Sequence, residues 1–226
     1  MKRYLPFGIV AVVALLALGS GAMLYRAKRL PPLRISKDQI ASGKENATSV
    51  HVRGNPKAQT TLEEFGDFEC PPCGKLADPL KELERDYGDG LRMVFHHFPL
   101  ITHRHAKEAA SAAEAAGLQG RFWEMHDLLY KEQGVWSRAA NVRVLFNAYA
   151  GMLGLNVERF KKDIDSEEVK TRVAADEKRG NTLGVTNTPT IFINDTAVPP
   201  TSLNPLGLRG AINDAVNNAR QKDKAK

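Results

Sequence analysis

Three rhythms of apolar and polar residues divide this chain. The first is unbroken: no charged residue occurs from Tyr4 to Tyr25, and Ile9, Val10, Val12, Val13, Leu15, Leu16 and Leu18 make the run strongly apolar. A run of that length can span a bilayer as a helix. Residues 26–49 are polar and charged, carry Pro31-Pro32 and show no sustained period, so they read as a linker. From residue 50 onward, short strand and helix patterns follow one another. Thr60–Phe65 predicts a strand after a turn at Gly54-Asn55-Pro56. Leu76, Leu80 and Leu83 form one stripe, predicting a helix from about Pro71 to Tyr87 that ends at Gly88-Asp89-Gly90. Leu91–Phe95 predicts the next strand. Helices are predicted over residues 106–116, Arg121–Tyr130, Val142–Met152 and Val157–Ile164. Ser166-Glu167-Glu168 opens another through Leu183, with a cap and acidic residues in the first turn. Thr190–Ile193 and Thr196–Val198 predict a hairpin about Asn194-Asp195, and Pro205–Ala219 a final helix.

The order is β-α-β, a helical block, then α-β-β-α. A parallel start followed by an antiparallel hairpin implies an α/β fold, a mixed central sheet with helices on both faces. The segments are then an anchor over 1–25, a linker over 26–49 and a domain over 50–222.

Charge adds little. The net charge is +6, and several bases sit at the chain ends. No basic stripe with interleaved aromatics occurs, so nucleic acid is not an expected partner. A cleavable signal peptide has an apolar core of about 7–15 residues. Here Met23, Leu24 and Tyr25 carry the run past its small residues, so an uncleaved signal anchor is favoured, with cleavage the alternative. Lys2 and Arg3 nearly balance Arg26, Lys28 and Arg29, so flanking charge does not set the orientation. The domain is placed outside the cytoplasm because the cysteine chemistry suits an oxidising compartment.

The chain has two cysteines, Cys70 and Cys73, separated by Pro71-Pro72. A bridge so short closes almost no loop and gives little chain-entropy stabilisation. Its chemistry is the better explanation. Thiolate is the nucleophile in disulfide exchange. Cys70 lies where a strand hands over to a helix, and Pro71 suits the first helical position. The helix N-terminus favours an anion there. Cys73, one turn further in, can close a small ring and release a mixed disulfide. Cys-x-x-Cys is also half of a zinc site, whose other half would be drawn from His96, His97, His103 and His105. Adjacent strand positions put His96 and His97 on opposite faces. Pro189 precedes a buried strand in Asn187-Thr188-Pro189-Thr190-Ile191, and both cis and trans bonds fit that position. A cis bond beside the cysteines would offer the Thr188 backbone to an extended substrate. Phe122, Trp123 and Met125 read as core, and His126 as a packed or capping histidine.

The run Leu62-Glu63-Glu64-Phe65-Gly66-Asp67-Phe68-Glu69-Cys70-Pro71-Pro72-Cys73 resembles the active-site stretch of DsbA-like thioredoxin-fold proteins. Three further runs resemble family hallmarks in the family's order. They are Phe95-His96-His97-Phe98-Pro99-Leu100, Gly120-Arg121-Phe122-Trp123-Glu124-Met125-His126-Asp127, and Gly184-Val185-Thr186-Asn187-Thr188-Pro189-Thr190. The resemblance covers about residues 50–220. It implies a thioredoxin fold with a helical insertion near 104–165 and a cis Pro189 facing the cysteines. It also implies that Glu64 is the family's buried acid, able to take a proton from Cys73. Leu62 and Glu64 share a strand face, which makes burial of Glu64 plausible from the pattern as well. Glu69, beside Cys70, is expected to point to solvent, where it would not repel a thiolate. The sequence departs from the best-known oxidase pattern at Pro71-Pro72, where no histidine stands between the cysteines. That predicts a higher Cys70 pKa and a less oxidising disulfide.

The implied activity is thiol–disulfide oxidoreduction on protein thiols and disulfides, without a cofactor or metal, and with a membrane or extracytoplasmic redox partner. Dithiol oxidase is favoured over reductase or isomerase. The competing class is a copper- or zinc-binding thioredoxin-like module.

Overall fold

The computed structural model describes residues 51–224. The expected anchor at 1–25 and linker at 26–49 lie outside them. Among the described residues no helix is long and apolar enough to cross a membrane.

Five strands form one mixed sheet in the order β1-β3-β2-β4-β5. They are β1 (His51–Gly54), β2 (Thr60–Gly66), β3 (Leu91–His97), β4 (Thr190–Ile193) and β5 (Thr196–Ala197). β2 and β3 run parallel, joined through helix α1 (Pro71–Tyr87); the other pairs are antiparallel. Between β3 and α7 (Glu167–Thr182) stand five helices: α2 (Ala106–Gly117), α3 (Phe122–Lys131), α4 (Gln133–Trp136), α5 (Val142–Met152) and α6 (Val157–Asp163). α8 (Pro205–Lys224) closes the chain.

The sequence pattern misses two elements. β1 carries one aliphatic residue, Val52, and lies at the sheet edge, half-buried, so no alternation marks it. α4 is a single turn around Gln133 and Trp136, too short for a helical stripe. The Ser166 cap and the hairpin turn are read correctly: Ser166 accepts from the Val169 amide, and Asn194 adopts φ 52° at the turn. Pro79 lies inside α1, where its ring offers no N–H to the preceding turn.

Alternation along β2 sorts the core. Leu62 packs with Leu76, Leu80 and Leu83 of α1 and with Leu208 and Ile212 of α8. Each buried leucine of α1 contributes about 1.5–3 kcal/mol. Phe65, on the other face, packs with Phe98, Leu183, Val185 and Phe192. A third cluster holds Phe68 and Phe95 against the inserted helices, around Trp136 and Phe146.

Buried charge ties that block to the sheet. Glu114 of α2 meets His51 at 2.6 Å and His97 at 3.0 Å. On the opposite face His96 lies 2.8 Å from both Asp176 of α7 and Glu63 of β2. Burial lowers the His96 pKa, but the two carboxylates outweigh it and lift it to about 9.

Two predictions follow from this packing. A Cβ on Gly66 would lie 2.5 Å from a Phe95 ring carbon and 2.9 Å from the Tyr130 hydroxyl. Gly66→Ala should therefore lose about 1–3 kcal/mol in urea unfolding. The His96 pKa is raised on folding, so its contribution is complete below the ordinary value of 6.5 and is lost as pH rises through about 9. Urea midpoints measured across that window should fall with pH, and should fall less in His96→Gln.

Candidate functional site

β2 ends at Gly66 and α1 begins at Pro71, and the intervening turn is held from three sides. Asp67 is 1% exposed. Its carboxylate accepts from the Glu69 and Leu100 amides at 2.8 Å and pairs with His103 Nδ1 at 2.7 Å. Its carbonyl accepts from the Cys70 amide at 3.1 Å. From α4, Gln133 Nε2 donates to the carbonyls of Phe68 and Cys70 at 2.7 and 2.9 Å. Glu69 corrects an expectation. It is half-buried, and its carboxylate accepts from the His105 amide at 2.5 Å. That amide opens α2 and has no partner within the helix.

Sequence reasoning gave Asp67 and Gln133 no role. A polar residue in the turn before Cys70 was a weak signal for Asp67. Nothing marked Gln133, whose partners are backbone carbonyls far away in sequence.

Cys70 caps α1 and is 4% exposed; Cys73 is fully buried one turn in. Both are free thiols. Cys70 Sγ lies 3.3 Å from the Thr188 carbonyl oxygen, and the Thr188–Pro189 bond is cis. Pro71 and Pro72 occupy the first two helical positions and are exposed.

The two thiols are displaced in opposite directions. The Cys70 pKa falls to about 6, chiefly because the Cys73 side chain hydrogen-bonds to the thiolate. The Thr188 side chain and the Cys73 amide help, while burial and the Asp67 charge oppose. Cys73 is pushed well above its ordinary value by burial, by its bond to Cys70 and by the charge of Glu64. Glu64 lies on β2 between Phe95 and Ile191 and is 4% exposed. Burial and the Cys70 charge raise its pKa to about 8. Cys70, Cys73, Glu64, Thr188 and Pro189 thus share one neighbourhood.

The histidines are spent elsewhere. Among the described residues none is hydrogen-bonded to either sulfur. His105 Nδ1 lies 3.6 Å from Glu108. His51, His97 and Glu114 bring possible ligand atoms within 4.8 Å of one another, but on the α2 side of the sheet. Phe122 and Met125 are buried as expected; Trp123 is half-buried, donating to the Val52 carbonyl at 3.1 Å.

A mixed sheet, a cysteine pair opening α1 and a cis-proline beside it define a thioredoxin-fold domain. The chain belongs to the thioredoxin family, whose profile matches residues 45–214. It is similar to a thioredoxin-like oxidoreductase from Silicibacter pomeroyi at 25% identity, covering 83% of this chain and 99% of that one, with a TM-score of 0.62. It shares its fold with the thiol-disulfide exchange protein alpha-DsbA2 from Wolbachia pipientis (16% identity, TM-score 0.65, covering 79% and 94% of the two chains). In sequence it is 36% identical over 196 residues to a Na(+)/H(+) antiporter NhaA 1 from Salinispora arenicola, covering 83% of this chain but 29% of that protein. The chain therefore spans less than a third of that curated relative.

The opposed displacement of the thiols is directly measurable. Thiolate absorbance at 240 nm should titrate with a midpoint near pH 6 in the reduced protein and vanish from that range in Cys70→Ser. Cys73→Ser should retain the transition.

Proposed function

We propose that this chain is an extracytoplasmic thiol–disulfide oxidoreductase, running as a dithiol oxidase on protein substrates. One observation carries the reading. A buried cysteine with its pKa lowered to about 6 opens a helix, beside a partner thiol driven the other way. In the oxidised protein a substrate thiolate attacks Cys70 Sγ, and the Cys70–Cys73 bond breaks. Cys73 leaves with the electron pair and takes a proton from the Glu64 carboxyl. A second substrate thiolate then attacks the substrate sulfur of the mixed disulfide. Cys70 departs as thiolate, a good leaving group because its pKa is low. The substrate has lost two electrons and the cysteine pair has gained them, so a redox partner must reoxidise the pair. No cofactor enters. Substrate backbone would pair at Thr188, ahead of Pro189, as an added strand. The apolar N-terminal run would tether the domain to the membrane, facing an oxidising compartment where that partner resides.

Pro71 and Pro72 favour a second reading, reductase or isomerase. Neither residue has an N–H, so neither can donate to the Cys70 thiolate. The reduced form then gains less stability than in the strongest oxidases of this fold.

Oxidative refolding of a reduced substrate protein and insulin reduction, each with Cys70→Ser as control, test the class. Activity should fall at least about 1,000-fold in that variant, as when a catalytic nucleophile is lost; unchanged activity would reject the function. Equilibration with glutathione should give a potential below the roughly −120 mV of the strongest oxidases.

A further inference from the structure

Among the buried polar atoms near the site that lack a hydrogen-bond partner are Glu64 Oε1 and His126 Nε2. Both side chains belong to residues no more than 6% exposed. Both line one small cavity, with about 10 Å³ open to the centre of a water-sized sphere. That is about the room one water needs, given polar partners. Ala77, Leu80 and Phe95 form its apolar walls, and Lys81 and Arg53 line it as well. The cations are committed: Arg53 and Lys81 both bind the Asp127 carboxylate, at 3.0 and 2.6 Å.

His126 is oriented for a role beyond packing. Its Nδ1 lies 3.0 Å from Asp127 Oδ1. A carboxylate only accepts, so in the neutral ring the hydrogen sits on Nδ1 and Nε2 presents a lone pair. Burial holds the ring neutral, lowering its pKa to about 4 against the opposing pull of Asp127. Arg53 and His97 add to the lowering. Glu64, facing Cys70 and Cys73 of α1, holds its proton to about pH 8. Tyr130 of α3 stays neutral there, its pKa raised by burial and by those same groups.

We infer that His126 is the relay through which Glu64 exchanges its proton with bulk water, across a single water bridging Glu64 Oε1 and His126 Nε2. The inference rests on the oxidoreductase reading and extends it. Before Cys73 resolves a mixed disulfide, Glu64 gives its own proton to the bridging water, which gives one to Nε2. The carboxylate so formed takes the proton of Cys73. The Cys73 thiolate forms a bond to Cys70 Sγ, and the substrate sulfur leaves with the electron pair of the broken bond. The ring releases its Nδ1 proton toward Asp127, whose side chain is 29% exposed and open to solvent exchange. The imidazolium is a passing species, and the ring regains its starting tautomer when the opposite half-reaction draws a proton inward along the same path. In the opening direction the same path supplies the proton that Cys73 takes up.

Reaction of the reduced full chain with an aromatic disulfide that releases a coloured thiolate separates the steps. The first release reports attack by Cys70, and the second reports resolution by Cys73. In His126→Phe the first phase should keep its rate, while the second should slow about 100-fold, at the lower end of general acid–base assistance. In His126→Ala, added imidazole should restore the second phase. An unchanged second phase in folded His126→Phe would overturn the relay, yet leave the oxidoreductase reading intact. Loss of the first phase in the unmodified protein would sink that reading instead. Nitrogen-15 NMR of the unmodified reduced protein gives a check independent of variant folding. It should show His126 protonated at Nδ1 alone, and protonation at Nε2 would exclude the relay.

Discussion

One negative charge has to be shared among three acidic groups in a space almost without water. Cys70, Cys73 and Glu64 are each no more than 4% exposed; the Cys70 charge raises the cost of ionising both Cys73 and Glu64, and the Glu64 charge raises that of Cys73. Like charges in low dielectric cannot all form, so their protons come off as a set. The architecture decides where the first charge goes. Cys70 stands at the open end of α1, where the Cys73 thiol and amide turn toward it. Cys73 and Glu64 lie deeper, against the sheet. Exchange chemistry needs this inequality: a group that is readily thiolate, a second thiol that stays protonated until attacked, and an acid able to move that second proton.

Holding the inequality in place requires parts of the chain far from the cysteines. Asp67 latches the active-site turn to the loop after β3, through the Leu100 amide and His103. Gln133, from the inserted helices, takes the carbonyls of Phe68 and Cys70. Its side chain also fills the space beside Gly74, where a Cβ would sit 2.7 Å from Gln133 Oε1. The inserted block is therefore a structural wall of the site as well as a cover. Asp67 supplies this at a cost to chemistry, since its charge opposes the Cys70 thiolate. Geometry of the turn outweighs that penalty, because donors that miss the sulfur by an ångström stabilise nothing.

The sequence exposed those features whose cause is local. The leucine stripe of α1, the Ser166 cap and the hairpin at Asn194 depend on near neighbours, and periodicity or turn chemistry shows them. Family likeness marked Pro189, whose bond is cis, and Glu64, which is buried. The residues that escaped act across long separations. β1 exists because β3 needs an edge partner, and its own four residues carry no strand signal. Gln133 lies 65 positions from the Phe68 carbonyl it holds. Glu69 turned inward because an unpaired amide at the start of α2 lies within reach. No pattern within a single segment encodes such meetings.

The two prolines sharpen the electrostatics of this site. An anion at a helix N-terminus is normally met by the free amides of the first turn. Here the first two helical positions are Pro71 and Pro72, which have no N–H to give. The Gly74 amide is already bonded to the Cys70 carbonyl at 3.1 Å. That leaves the Cys73 amide as the helix's contribution, alongside the Cys73 thiol and Thr188. The thiolate is thus stabilised mainly by its own resolving partner. Such stabilisation disappears when the disulfide forms, because Cys73 is then a bonded sulfur with no proton to donate. It stabilises the reduced protein alone and so favours uptake of electrons. The missing amides act in the opposite sense, since they would have stabilised the same thiolate. The balance between one strong thiol donor and two absent amides sets the direction in which this pair runs.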